Sequence, residues 1–251
     1  MFSALLVDWR GTLAVPLTEE QWIGTALERL ARPAAPSDIA PIAACLEAVD
    51  AGRRLLTPGM DADPALHRRV FMDVFSDADI DPDLAAALYE VESDPFNDLF
   101  ADDALGFLSR TRAAGVRVAI VSDVHVDIRP AFRAVGLDAH VDAYALSCEH
   151  GAEKPDPRLF EAALGMVDAR PEEALMVGDR HTHDGGAAAV GVAALILPSL
   201  TTRAERRLHL VERLLSAAQR PDSPSTRATP VGHEPHPEGS PTCCPVPPTP
   251  Q

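Results

Sequence analysis

The sequence predicts an α/β protein: a doubly wound parallel, Rossmann-like sheet with an inserted α-helical cap and a disordered proline-rich C-terminal tail. Three observations carry this expectation. The chain opens on a short apolar run, Ala4-Leu5-Leu6-Val7, that ends in Asp8. A buried parallel strand delivers a carboxylate to the C-terminal edge of a sheet in this way. From Asp102 onward, apolar runs of strand length alternate with amphipathic segments of helix length, the rhythm of βαβ units. Between these regions, residues 14–99 carry helical periodicity without an intervening strand.

The elements follow in order. After Asp8 comes the Gly-Thr turn of Trp9-Arg10-Gly11-Thr12-Leu13. Thr18, with Gln21 three residues on, forms a capping box ahead of Trp22, Ile23, Ala26, Leu27 and Leu30. Ser37 caps a second segment carrying Ile39, Ile42, Ala43, Leu46 and Val49. Asp63-Pro64 and Asp81-Pro82 each set a capping acid before a proline suited to the first helical position. The third helix buries Leu66, Val70, Phe71, Val74 and Phe75 and turns His67, Arg68 and Arg69 to solvent; the fourth buries Leu84, Leu88 and Val91. Helices then span 102–114, 130–135, 156–164, 185–190 and 201–219, and strands span 116–121, 140–147, 174–177 and 192–197. Residues 1–13 and 100–219 thus form the core, 14–99 the cap, and 220–251 the tail. The tail holds prolines throughout and almost no large apolar residues, too little to offset the entropy of ordering.

Composition bounds the function. A chain of 251 residues that is 46% hydrophobic buries one sizeable core and a smaller accessory one. A net charge of −16 argues against nucleic acid and anionic membranes as partners. No apolar run approaches the ~18 residues of a spanning helix, and Met1-Phe2-Ser3-Ala4 lacks the basic start of a secretory signal. A soluble cytoplasmic protein is expected. Cys45 and Cys148 are isolated and Cys243-Cys244 are adjacent, without metal-ligand or C-x-x-C spacing, so reduced thiols are expected.

Reactive residues of such sheets sit at the C-terminal strand ends. There the sequence places Asp8, then Ser122, then Lys154-Pro155, then Gly178-Asp179 with Asp184 shortly after. Taken singly each is ordinary, since Ser122 also suits a helix cap and Lys154 a solvated loop. In this order they form a nucleophilic carboxylate, a hydroxyl donor, a cation and an acidic pair on one rim.

That ordered set resembles the four motifs of the haloacid dehalogenase superfamily over residues 1–215, and the insertion resembles its helical C1 cap. The resemblance implies that Asp8 is a nucleophile forming an aspartyl-phosphate or aspartyl ester. It implies that Thr12 and Ser122 hydrogen-bond the transferring group and that Lys154 offsets the charge of Asp8. Mg²⁺ would be held by Asp8, Asp179, Asp184 and the main-chain carbonyl of Arg10. A hard cation and a lysine cancel the repulsion between a carboxylate and an anionic phosphoryl group. Gly11 permits the tight turn that brings N–H groups to the anion. Asp123, beside Ser122, and Arg53, next to Arg54 in the break between the second and third cap helices, are further candidate substrate contacts, the arginine pair suiting an exposed surface equally well. The implied partner is a small anionic metabolite.

The family's first motif reads D-x-D-G-T, and here the second aspartate is Arg10. In the family that aspartate protonates the leaving oxygen and then activates water. Arginine does neither, being always protonated and without an acceptor. Three readings follow. The acid–base role is weakened or moved, with Asp123, His125, His181 and His183 as candidates. Alternatively, Arg10 binds a substrate carboxylate bidentately in a dehalogenase-like reaction. Finally, Arg10 makes a structural ion pair with Asp123, Asp179 or Asp184 in an inert binding module. The first is favoured, because the lysine and acidic pair are retained and a halide leaving group needs no metal. A phosphonate-cleaving route using a cap lysine is disfavoured, since residues 14–99 contain none. Trp9 either walls the pocket or packs on the sheet.

Overall fold

A computed structural model describes residues 1–218. Strand β1 (Ala4–Val7) leads through the two-residue β2 (Ala14–Val15) into four helices, α1 (Glu19–Arg29), α2 (Pro36–Val49), α3 (Pro64–Asp77) and α4 (Pro82–Glu92). The chain returns through β3 (Leu99–Phe100) to α5 (Ala104–Ala113), β4 (Arg117–Ser122), α6 (Arg129–Ala134), β5 (Ala143–Leu146) and α7 (Ser147–His150). It then runs through α8 (Pro157–Met166), β6 (Ala174–Gly178), β7 (Ala193–Ile196) and α9 (His209–Ala218).

The main sheet is five-stranded and parallel, in the order β5-β4-β1-β6-β7. Strand β1 is central, with Leu6 beside Ala119 of β4 and Met176 of β6. Strands β4 and β5 build outward on one side of β1 and β6 and β7 on the other, so the chain direction switches between β1 and β6. Ligands of open α/β sheets bind at such a switch point. Both faces are covered. Leu5 and Val7 pack with Phe107, Phe132 and Val211, while Ala4 and Leu6 pack with Leu159 and Phe160. Burial on both faces is why β1 reads as an unbroken apolar run.

The four inserted helices bury a core of their own, centred on Ile23, Phe71, Val74, Phe75 and Leu88. The capping box at Thr18 and Gln21 is formed, and Asp63 and Asp81 accept from first-turn N–H groups. Trp22 packs against Phe71 and Phe75 and donates its indole N–H to the Leu88 carbonyl at 2.9 Å.

Several expectations are corrected. Ser37 does not cap α2; the helix starts at Pro36, and the Asp38 carboxylate takes the Ala35 N–H. Leu66 and Val70 are only half-buried, whereas His67 is buried rather than solvated. One turn before Phe71 on the same helix face, His67 stacks on that ring at 4.5 Å. The short antiparallel pair β2–β3 was not anticipated, being too brief to show a period; it ties together the two ends of the insertion. The last helix begins at His209, not at 201. The Glu205 carboxylate takes the Thr201 and Thr202 N–H groups, which holds that stretch as a turn. Strand β5 is shorter than expected because residues 138–140 form a 3₁₀ turn. The disorder expected of residues 220–251 lies outside the described residues. Among the described residues no helix is long and apolar enough to cross a membrane.

Phe75 is fully buried in the helical core. Phe75→Ala is expected to lower stability by about 3–5 kcal/mol, read as a fall in the urea midpoint with an unchanged slope.

Candidate active site

The strand order sets Asp8 between the tips of β4 and β6. The Asp8 N–H donates to the Val177 carbonyl at 2.9 Å, extending the ladder one residue past β1. Lys154 follows α7 and is buried with its side chain at 0% exposure. Its Nζ donates to Asp8 Oδ1 and to Asp184 Oδ1, both at 2.7 Å. The Arg180 N–H donates to Asp184 Oδ2 at 2.8 Å. Burial pushes the Asp8 carboxyl up, to about 6, against the pull of Lys154 and with the help of Asp184. Lys154 itself is held protonated: burial opposes its charge, and Asp8, Asp123 and Asp184 more than compensate.

One carboxylate oxygen from each of Asp8, Asp179 and Asp184 lies within 4.8 Å of the others. Asp179 takes no hydrogen bond from the described residues, and no backbone N–H among them donates to the Arg10 carbonyl. This is a hard oxygen donor set that suits Mg²⁺. Two glycines make room for it. A Cβ on Gly11, whose φ is 85°, would overlap the Asp179 carboxylate, and one on Gly178 would overlap Asp184.

A cavity of about 300 Å³ opens over Asp8, with Ser122, Asp123, Asp179 and Arg180 on the sheet side. Leu55, Leu56, Met60, Asp61, His67 and Phe71 face them from the insertion. The Ser122 hydroxyl makes no hydrogen bond among the described residues, whereas Thr12 Oγ1 donates to Asp8 Oδ2 at 2.9 Å. Thr12 therefore orients the carboxylate rather than reaching into the cavity. Asp123 is engaged internally, accepting the Lys154 N–H at 2.7 Å and pairing with Arg180 at 3.2 Å.

Arg10 pairs with neither Asp123, Asp179 nor Asp184. Its guanidinium donates to Asp98 at 2.9 and 3.2 Å and to Glu92 at 3.1 Å. Both acids belong to the return path of the insertion. Arg53 also departs from expectation: it is exposed and lines a different cavity, with Glu19, Trp22 and Glu47, while Arg54 pairs with Asp77. Trp9 is buried in the sheet core and does not line the cavity. His181 is exposed, and His183 sits beside a neighbouring groove rather than in the cavity.

Sequence reasoning missed Asp61 in the cavity lining, together with Glu153, Ser147, Arg207 and the burial of His67. Glu153 accepts the N–H groups of Gly59, Asp61 and Ala62 at 2.7, 2.5 and 3.2 Å. Ser147 donates to the Asp61 carbonyl at 2.8 Å. Together they clamp the turn before α3 to the sheet rim. Arg207 donates to the carbonyls of Gly11 and Thr12 at 3.2 and 3.1 Å. His67 stacks on His125 at 3.4 Å with planes 14° apart, and both face Asp61. Of the sequence, only the spacing of His67 from Phe71 signalled any of this.

A family model described as haloacid dehalogenase-like hydrolase matches residues 2–191. Phosphoserine phosphatase of Thermus thermophilus is 35% identical over 156 residues, covering 57% of this chain and 60% of that protein. (S)-2-haloacid dehalogenase 1 of a Pseudomonas species is 36% identical over 100 residues, covering 39% of this chain and 44% of that protein. The chain thus spans less than two thirds of either relative's length. A 2-haloacid dehalogenase structure from Pseudomonas syringae superposes with a TM-score of 0.61 at 20% identity, covering 87% of this chain and all of that one. This likeness is one of fold.

Glu153→Ala is expected to release the clamped turn, read as faster amide hydrogen exchange at Gly59, Asp61 and Ala62. Burial lowers His67 to about 3 and His125 to about 4, with His125 and Arg10 adding to the first and Arg10 to the second. Both are neutral when folded, so the unfolded chain binds more protons below their ordinary value of 6.5. Their contribution is full above that pH and is lost as pH falls towards 4. Asp61, raised when folded, acts in the opposite sense, so the comparison with His67→Phe isolates the histidine effect. That variant should lose less stability than wild type between pH 7 and 5 in urea titrations.

Proposed function

The chain belongs to the haloacid dehalogenase-like hydrolases, and from that premise we propose that it hydrolyses a small phosphorylated metabolite through an aspartyl-phosphate on Asp8, assisted by Mg²⁺. The observation that carries this reading is the Lys154 ammonium, 2.7 Å from both Asp8 and Asp184. Such a buried cation offsets the charge of a carboxylate nucleophile as it approaches an anionic phosphorus. Similarity to a phosphoserine phosphatase supports the same substrate class.

The residues divide the work. Asp8 attacks phosphorus, Thr12 orients it, and Lys154 cancels its charge. Ser122 and the backbone of the Gly11 turn hydrogen-bond the phosphoryl oxygens. Asp8, Asp179, Asp184 and the Arg10 carbonyl would hold Mg²⁺, which supplies further charge neutralisation at the transferring group. Arg207 keeps the turn in place through two carbonyls.

The partners of Arg10 support the phosphoryl-transfer reading over the alternatives. Committed to Asp98 and Glu92, it does not offer a bidentate site for a haloacid carboxylate. Nor does it neutralise Asp8, Asp179 or Asp184, so the charge clamp is left available for chemistry. The substrate is taken to be a small anion met in the cytoplasm.

Phosphate release from a panel of phosphorylated small molecules is expected with Mg²⁺ and not with EDTA. Asp8→Asn should abolish it, and Asp179→Asn should abolish Mg²⁺ binding in titration calorimetry. Metal-independent halide release from 2-haloacids, without phosphate release, would overturn the reading.

A further inference from the structure

We propose that Asp61, on the turn before α3, donates and accepts the proton that the residue at position 10 no longer handles. The proposal rests on the phosphoryl-transfer reading above. Five carboxylates line the cavity: Asp8, Asp61, Glu92, Asp123 and Asp179. Asp8 is held by Lys154 and Thr12, Glu92 by Arg10, and Asp123 by the Lys154 N–H and Arg180. Asp179 belongs to the oxygen cluster with Asp8 and Asp184. Asp61 has no hydrogen bond to its carboxylate among the described residues; its nearest basic neighbours are His67 Nε2 at 3.7 Å and His125 Nδ1 at 3.9 Å.

Its backbone is nevertheless fixed on both sides of the Cα. The N–H donates to Glu153 and the carbonyl accepts from Ser147, both on the rim that carries Lys154. The carboxyl therefore has a rigid mount and a free tip, the combination that positioned proton transfer requires. His67 and His125 are positioning residues: Tyr89 and Ser93 hydroxyls bond their outer nitrogens at 3.3 and 2.9 Å, which aims the inner ones at Asp61.

The groups facing Asp61 set its charge. They are Arg10 at the tip of β1, His67 on α3, Glu92 on α4, Asp123 and His125 after β4, and Glu153 before Lys154. Burial, then Glu153 and Asp123, push its carboxyl up to about 7 against Arg10. At neutral pH such a group is present in both the donor and the acceptor form.

The proton then balances over two steps. As Asp8 bonds to phosphorus, the ester P–O bond breaks, its electron pair stays on the leaving oxygen, and that oxygen takes the Asp61 proton. The Asp61 carboxylate next removes a proton from water as the water oxygen attacks phosphorus. The Asp8–phosphorus bond breaks, phosphate leaves, and Asp61 is protonated again.

The test compares wild type, Asp61→Asn and Asp61→Glu with Mg²⁺ on p-nitrophenyl phosphate and on glycerol phosphate. Asp61→Asn is expected to lower turnover of the alkyl ester by about 10²–10⁴-fold. On the aryl ester, whose leaving group needs no proton, it should give a burst of nitrophenolate followed by slow turnover. It should also lose the limb of the pH–rate profile near neutrality, while the thermal midpoint does not fall below the wild-type value. Asp61→Glu should recover part of the alkyl-ester rate. Wild-type rates and pH profile for Asp61→Asn on both esters would overturn the proposal. Wild type releasing no phosphate from either ester or from the wider panel would instead overturn the phosphoryl-transfer reading, and this proposal with it.

Discussion

The Lys154 ammonium, shielded from solvent and shared by Asp8 and Asp184, is the contact on which the rest of the site depends. Three carboxylates whose oxygens lie within 4.8 Å of one another repel strongly where water is excluded, and breaking a buried pair of this kind typically costs about 3–5 kcal/mol. Lys154 is the sole lysine of the chain; every other cationic side chain apart from histidine is arginine. Its compact ammonium touches both carboxylates at 2.7 Å, as a point charge can. The same crowding explains the glycines, since a side chain at Gly11 or Gly178 would occupy the volume of Asp179 or Asp184.

Arg10 turns the first motif from a purely chemical device into a mechanical tie. Its ion pairs to Asp98 and Glu92 bind the tip of β1 to the segment by which the inserted helices return to the sheet. Asp98 is buried, and burial raises its carboxyl while Arg10 draws it back down; without the guanidinium that acid would be an uncompensated buried charge. A second tie runs the other way, from Glu153 beside Lys154 to three N–H groups of the turn before α3. The insertion is thus held over Asp8 at two points, each adjacent to a motif residue. Its apolar residues Leu55, Leu56, Met60 and Phe71 face the sheet-side charges across the cavity.

Much of the fold was legible because it rests on short-range rules. Apolar β1 and the helix caps at Thr18, Asp63 and Asp81 act within a few residues, and each left a local trace. Elements whose limits depend on distant partners were less legible. The stretch before α9 has helical composition, yet it stays a turn around Glu205 and sends Arg207 across to Gly11 and Thr12. His67 looked like a surface residue because its neighbours Arg68 and Arg69 are, and its burial came from packing against His125 on another part of the chain.

The sequence by itself determined which strands build the parallel sheet, the order of Asp8, Ser122, Lys154, Asp179 and Asp184 along the chain, and membership of one sheet rim. Strand-end chemistry and βα alternation are periodic, local properties, and a parallel sheet brings strand tips to one edge whatever the loops do. Tertiary structure alone decided which charges meet. It gave Arg10 to Asp98 and Glu92, drew Asp123 to Lys154 and Arg180, left Arg53 outside the cavity and set Asp61 within it. Ion pairing falls off over a few ångströms, and separations of that size between residues tens of positions apart exist only once the chain has folded.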